Sequence, residues 1–330
     1  MKLQLDPAVE TFFLLADADW GKRQKKRAIE QLDALGIDGA ACYAAQFHLI
    51  ERYFSAFAAC MVKDAGSSYI ADLSDQAALL FVSLLVSHPA WLRDFEALPE
   101  EEVINEVRSG ISAIMGTGAD FIAALETSGL SDRARWQLSV LWQQPKPRIA
   151  LVIRAIAANI PAFNQARRKI EPEMASVLSQ LGDQLRDDKL SPMVDQAVSL
   201  YPHARITPSL AAPLLVMAIG DTCVLGLLLN RVFTGRTDGL ADIEAVRVSK
   251  ALSDANRVAI LHILKGNRLY GVELARKIGL TPATTSYHMN MLVSAGLVEV
   301  ARQDARMFYR LSANGIERYR AWLETLLSRR

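Results

Sequence analysis

The sequence predicts a mainly α chain: a large N-terminal helical bundle followed by a small C-terminal module of helices that includes one β hairpin. Three observations carry that expectation. A capping residue followed by proline is how many helices start. It occurs at Asp6-Pro7, Ser191-Pro192, Thr207-Pro208 and Thr281-Pro282, each time before an apolar-periodic run. Strand-like alternation is absent before Asn230 apart from Lys2 to Leu5. It appears late, in Leu297 to Arg302 and Met307 to Leu311 around the polar Gln303-Asp-Ala-Arg306, which is the pattern of a hairpin.

Taken in order, Asp6 to Asn230 reads as roughly ten helices. Gly36, Gly66, Gly116 and Gly129 sit just past apolar runs, where a left-handed residue closes a last turn. Gly39 to Asp64, with Tyr43, Phe47, Tyr53, Phe54 and Phe57, and Asp75 to Ser87, apolar almost all round, are expected as central helices. Gln143 to Arg148 holds two prolines and no apolar residue, so it is a loop or a subdomain boundary. Further breaks are expected at Asn159-Ile-Pro161 and Glu171-Pro172.

The most apolar stretch, Leu210 to Leu229, has about the length of a membrane span. Pro213, Gly220, Asp221 and Gly226 interrupt it, and a central aspartate costs about 2.5 to 3.5 kcal/mol on insertion. It therefore reads as a buried core or dimer-interface helix, with no membrane partner and with Asp221 paired to an arginine such as Arg154 or Arg231. Thr234 to Gly239, polar and with two glycines, is the linker. It separates residues 1–235, an all-helical dimerisation or sensor region, from residues 240–330.

In the second part, Ile243 to Leu252 is a helix, Ser253-Asp254 a cap, and Ala255 to Leu264 a helix closed at Gly266, with Val258, Ile260, Leu261 and Leu264 for its core. Gly271 to Gly279 is a short amphipathic helix with Leu274, Ala275 and Ile278 inward. Thr281-Pro282 then starts the next helix. On a helical period Ala283, Ser286, Tyr287 and Asn290 share one face, and Thr285, Met289 and Leu292 the opposite one. Two helices on a tight turn make a helix-turn-helix, and a small polar face suits a DNA groove. Ala295-Gly296 ends the reading helix. Asn314 to Leu327 carries Ile316, Tyr319, Leu323 and Leu326 at helical spacing, a stripe that should meet a partner.

The set Ala251-Leu-Ser-Asp-Ala-Asn-Arg257, Glu273-Leu-Ala275, Thr284-Thr-Ser-Tyr-His288, Ala295-Gly-Leu-Val298 and Tyr309-Arg-Leu311 resembles the winged helix-turn-helix domain of the ArsR family of bacterial transcriptional regulators. It covers about the last quarter of the chain. The resemblance implies a mainly α fold ending in a winged helix-turn-helix domain with a two-stranded β wing, a homodimer joined through the first and last helices, and repression as the usual outcome. Many members of that family sense metals through cysteines at the start of the first motif helix, or through carboxylate and histidine ligands on the last helix. This chain has Tyr270 and Val272 at the first place and no histidine on the last helix, so no metal site and no cofactor are expected.

The function so predicted is a sequence-specific, DNA-binding transcriptional regulator rather than an enzyme. The candidate DNA-contacting residues are Thr281, Ala283, Thr284, Ser286, Tyr287, His288, Asn290, Arg302 and Arg306. His288, at the edge of the packed face, reads equally as a structural histidine, and Arg310 as the partner of a local carboxylate. The partner is a double-stranded operator, an inverted repeat for a homodimer, with a small-molecule or protein effector for the helical region. Charge agrees: from Leu240 onward there are 14 Lys+Arg against 8 Asp+Glu, net +6, and the rest is net −5. The basic run Lys22 to Arg27 reads as a solvated helix face before a DNA-flanking patch. His48, His88, His203 and His262 read as structural. Cys42, Cys60 and Cys223 are odd in number and far apart, as buried thiols in a reducing cytoplasm would be, and the N-terminus lacks the apolar run of a signal peptide. The competing readings are an enzyme, for which no paired acid and base is visible, and a protein-interaction module with an accessory winged helix.

Overall fold

The structure, a computed structural model, describes residues 3–17, 22–34, 38–115, 121–127, 130–187, 190, 194, 198, 204–219, 221–234, 240–280, 285, 288–289, 291–293, 295–303 and 306–327. It divides into two compact units, Met1–Ile29 with Ala40–Val232, and Glu30–Gly39 with Phe233–Arg330. The second therefore takes in a short piece of the N-terminal region that the linker position does not foreshadow.

The N-terminal unit is mainly helical. Its elements are α1 (Pro7–Ala16), α2 (Lys22–Ala34, which runs on into the residues of the second unit), α3 (Gly39–Gln46), α4 (His48–Ala58), α5 (Ala65–Ala71), α6 (Asp75–Ser87), α7 (Trp91–Asp94), α8 (Glu100–Met115), α9 (Phe121–Thr127), α10 (Asp132–Gln143), α11 (Pro145–Lys169) and α12 (Glu171–Arg186). Asp6 caps α1, its side chain accepting from Ala8 N and Val9 N at 2.9 and 3.1 Å, and Pro7 occupies the first turn as the sequence implied. Ser74 caps α6 in the same way. The long α11 packs against α1, α4, α5 and α8 around a core that includes Phe12, Tyr53, Phe54, Phe57, Phe81 and Phe163. Buried Asn159 on α11 accepts from Val62 N at 2.7 Å and donates to Val62 O at 3.2 Å. It thereby satisfies backbone that leaves α4 without a helical partner.

Several expectations are corrected. Pro161 lies inside α11 and does not end it; the buried contacts of this helix outweigh the missing hydrogen bond. Gln144 alone separates α10 from α11, with both prolines of Gln143 to Arg148 in the first turn, so this is a helix start and not a subdomain boundary. Gly39 to Asp64 is two helices parted at Phe47. Gly66 lies within α5 instead of closing a helix: a Cβ there would meet Ala155 Cβ at 2.7 Å and Leu151 O at 2.8 Å. Its smallness lets α5 approach α11. The break at Glu171-Pro172 and the helix Asp75–Ser87 stand where the sequence put them.

The largest correction concerns the apolar stretch. Leu3 to Leu5 is no strand, yet the unit contains a three-stranded sheet of β1 (Arg205–Ser209), β2 (Val216–Ile219) and β3 (Thr222–Gly226) in the order β1-β3-β2. β1 runs parallel and β2 antiparallel to the fully buried β3. Leu210 to Leu229 is thus a loop, two strands and the start of α13 (Leu227–Thr234), because a continuous apolar run does not distinguish a buried strand from a buried helix. Thr207-Pro208 starts no helix; Pro208 sits in β1, at the sheet edge where proline is tolerated. Asp221 is an exposed turn residue accepting from Thr222 Oγ1 at 3.2 Å, and Arg154 pairs with Glu96 instead. Among the described residues one helix, α11, is long and apolar enough to cross a membrane, and over half of that apolar window is buried inside the protein. Ser191-Pro192, Gly36, Gly116, Gly129 and His203 lie outside the described residues.

The C-terminal unit contains α14 (Leu240–Leu252), α15 (Ala255–Leu264), β4 (Arg268–Tyr270), α16 (Gly271–Ile278), a reading segment whose described residues Thr285, His288, Met289 and Met291 to Val293 are helical, β5 (Val298–Gln303), β6 (Arg306–Leu311) and α17 (Ala313–Leu327). Its core is Val248, Ala251, Ile260, Leu264, Leu274, Met289, Leu292, Leu297 and Val298. The wing has a third strand that the sequence did not reveal: β4 pairs antiparallel with β6, giving the order β4-β6-β5.

Candidate nucleic-acid interface

The site is built from turns that hold helices at fixed angles. Asp254 caps α15, its carboxylate accepting from Arg257 N at 3.0 Å. Glu273 Oε2 accepts from Tyr270 N at 3.0 Å and so fastens the start of α16. Gly279 then takes φ 72°, and Leu280 N donates to Ala275 O at 3.1 Å across it. The reading segment ends in the same manner. Gly296 has φ 72°, Leu297 N donates to Leu292 O at 3.0 Å, and Gly296 N donates to Val293 O at 2.9 Å. This is the paired closure that a left-handed glycine makes.

Within the reading segment Thr285, Met289 and Leu292 are buried, the three residues that the helical period assigns to packing. His288 joins them at 5 % exposure. Its Nδ1 stands 3.8 Å from Asp254 Oδ1, so the placement is that of a packing residue. Asp254 itself is held below the usual carboxylate range by the Arg257 amide and then by the charges of Arg257 and His288. Arg257 is buried and donates from Nε to Ala251 O at 2.6 Å and from an Nη to Lys250 O at 2.9 Å. It joins the end of α14 to the cap of α15. The sequence motif contains Arg257, but its role was not visible because its acceptors are backbone carbonyls.

The wing follows its register. Glu299 faces Arg310 across β5 and β6, and Arg310 donates to its carboxylate from Nε at 2.8 Å, the local carboxylate partner anticipated for that arginine. Arg302 pairs in register with Met307, and Gln303 with Arg306, which places both candidate arginines at the turn end of the hairpin. Of the other candidates, Thr281, Ala283, Thr284, Ser286, Tyr287 and Asn290 lie outside the described residues. One register position from the Arg302–Met307 pair, the Tyr270 and Phe308 rings meet at 3.9 Å and the Arg268 guanidinium lies 4.4 Å above Phe308.

The last helix closes the domain on the reading segment. Ser312 N donates to Leu297 O at 2.9 Å, Ser312 Oγ donates to Glu299 Oε1 at 2.8 Å and accepts from Gly315 N at 3.2 Å. A Cβ at Gly315 would overlap Gly296 O. α17 also packs on α14, where Ser249 Oγ and Tyr319 OH are 3.0 Å apart. On these two helices Val246, Ile316, Leu326 and Leu327 remain exposed.

Helix, turn, helix and antiparallel wing in this order define a winged helix-turn-helix domain. A family profile described as a helix-turn-helix domain matches residues 252–301. The chain is 30% identical over 94 residues to an HTH-type transcriptional regulator of Mycobacterium tuberculosis, covering 28% of this chain and 42% of that protein. It is 26% identical over 82 residues to the transcriptional repressor SdpR of Bacillus subtilis, covering 25% of this chain and 91% of the repressor. A solved domain from Mycobacterium bovis, described as a homodimeric winged helix-turn-helix DNA-binding domain of a possible ArsR-family regulator, is 28% identical. It covers 28% of this chain and 86% of that one, with a TM-score of 0.23. The chain spans less than half the length of the mycobacterial regulator it matches.

Proposed function

We propose that the protein is a sequence-specific DNA-binding transcriptional regulator, a cytoplasmic repressor that acts as a homodimer on an inverted-repeat operator. The observation that carries this reading is the reading segment. Thr285, Met289 and Leu292, which the sequence pattern reserves for packing, are buried together with His288, and glycine turns at Gly279 and Gly296 hold the segment between α16 and the wing. Such a mount lets short side chains meet base edges, while Arg302 and Arg306 supply phosphate contacts. Repression is supported by the repressor relative, matched over 91% of its length. A dimer is supported by the exposed apolar residues of α14 and α17, and two-fold symmetry then sets the half-sites about 34 Å apart. The N-terminal unit adds dimer contacts or receives a small-molecule or protein effector.

The test begins with selection of duplexes from a random library by the full-length protein, followed by a salt titration of the winner. Affinity is expected to fall steeply with salt. Arg302→Ala with Arg306→Ala is expected to lower the slope by about one for each phosphate no longer neutralised. Absence of salt-dependent binding to every duplex overturns the reading.

A further inference from the structure

Arg268 of β4 and Arg310 of β6 stand opposite each other in register. Like charges directly opposed across a strand pair repel, and the sheet neutralises one of the two. Arg310 gives its Nε and an Nη to the Glu299 carboxylate at 2.8 and 2.6 Å. Arg268 is exposed, and among the described residues it has an aromatic ring for a neighbour and no carboxylate. Leu269, next in sequence, packs on the core, so Arg268 and Tyr270 belong to the opposite, outer face of the sheet. The contact with the ring offsets part of the repulsion. A neutral side chain at the same place would avoid it altogether.

The Arg268 side chain leans along the sheet. Its backbone pairs with Arg310, yet its guanidinium lies 4.4 Å over the ring of Phe308, two residues nearer to the wing turn. That ring also meets Tyr270 at 3.9 Å, and Tyr270 is the residue from which α16, the first helix of the helix-turn-helix, starts. Phe308 is in turn two residues from Arg306, or about 7 Å of strand. The charge is thereby held between the start of α16 and the wing turn. A guanidinium laid over a ring uses its face for that contact, and the N–H donors around its edge stay available. Such a fork matches the paired oxygens of a phosphate. The surrounding charge has the right sign for one, since the chain from Leu240 onward is net +6.

We infer that Arg268, seated on Phe308, is a further phosphate contact of the winged helix: it binds the DNA backbone beside the wing and adds affinity without sequence preference. The inference rests on the DNA-binding reading and extends the footprint from the wing turn to the outer face of β4.

Salt titration of the full-length protein on its selected duplex, with Arg268→Gln and Arg268→Lys beside the wild type, tests it. Arg268→Gln keeps a stem for the ring and loses the charge. It is expected to lower the salt slope by about 0.9, so that its affinity loss between about 50 and about 200 mM salt is about threefold smaller than that of the wild type. The change is expected to be the same on a scrambled duplex, as a backbone contact requires. Arg268→Lys returns a point charge to the same position and is expected to restore the slope. A wild-type slope in Arg268→Gln, or a slope lost equally in Arg268→Lys, overturns the inference and leaves the DNA-binding proposal standing. Absence of salt-dependent binding by the wild type removes both.

Discussion

Two carboxylates hold key joints of the two units, and they are held in opposite ways. Glu10 has no contact with water, takes its partners from Tyr53 and the loop at Ser209 to Ala211, and is pushed up to about 7 by burial. Asp254 is partly exposed, takes its first partner from the amide three residues on, and is held below the usual range by that amide and by Arg257. One joint depends on distant segments meeting. The other is assembled from one helix turn and one histidine. The difference teaches that the N-terminal unit has its polar centre written across the whole chain, whereas the C-terminal domain has it written locally.

The strongest challenge to this contrast is Glu10→Ala. It leaves two hydroxyls and two amides buried without their acceptor, a loss of about 3 kcal/mol or more, read from the urea midpoint of the unit that contains α1. In the C-terminal domain, Arg257→Ala removes two hydrogen bonds from a buried guanidinium to the end of α14. About 2 to 3 kcal/mol is expected, measured by chemical denaturation. Gly315→Ala drives a methyl into Gly296 O and is expected to lose about 1 to 3 kcal/mol with a matching fall in the melting temperature.

The pH dependences should also differ in sign. Glu10 is raised in the folded state, so its contribution is fully present below about 4.5 and is lost as pH rises to about 7. Asp254 is lowered, so its contribution is present above the unfolded carboxylate value and lost as pH falls through the lower folded one. Thermal melts of Asp254→Asn and the wild type should therefore converge in acid, and those of Glu10→Gln and the wild type should diverge as pH rises towards about 7. The smallest effect is expected from Arg310→Ala, since the pair with Glu299 is solvent-exposed at the arginine; a change of about 0.5 kcal/mol or less in the melt is anticipated.

The same contrast explains what was legible in the sequence. In the C-terminal domain several helix boundaries are announced by a residue that acts on its own neighbours: Asp254 as a cap, Gly266, Gly279 and Gly296 as left-handed closures. A helical period then separates Thr285, Met289 and Leu292 as the packed face. In the N-terminal unit the same local signals mislead. Pro161 is carried through α11 by packing, Gly66 serves a helix crossing, and the apolar run after Ser209 becomes β2 and β3 because its segments pair with each other and with β1. The β4 strand was missed for a related reason: three residues show no period, and only pairing with β6 defines them. Arg257 and Glu10 were missed because their partners are backbone atoms or distant hydroxyls, which no spacing encodes.

The meeting of Gly315 with Gly296 has a consequence for timing. The end of the reading segment, the start of β5 and the first turn of α17 share one set of bonds through Leu297, Ser312 and Glu299. Opening any one of them breaks bonds of its neighbours, so the amides of Gly296, Leu297, Ser312 and Gly315 are expected to exchange with solvent as a single cooperative group. Any signal that reaches the reading segment must then arrive as a displacement of that whole rigid corner.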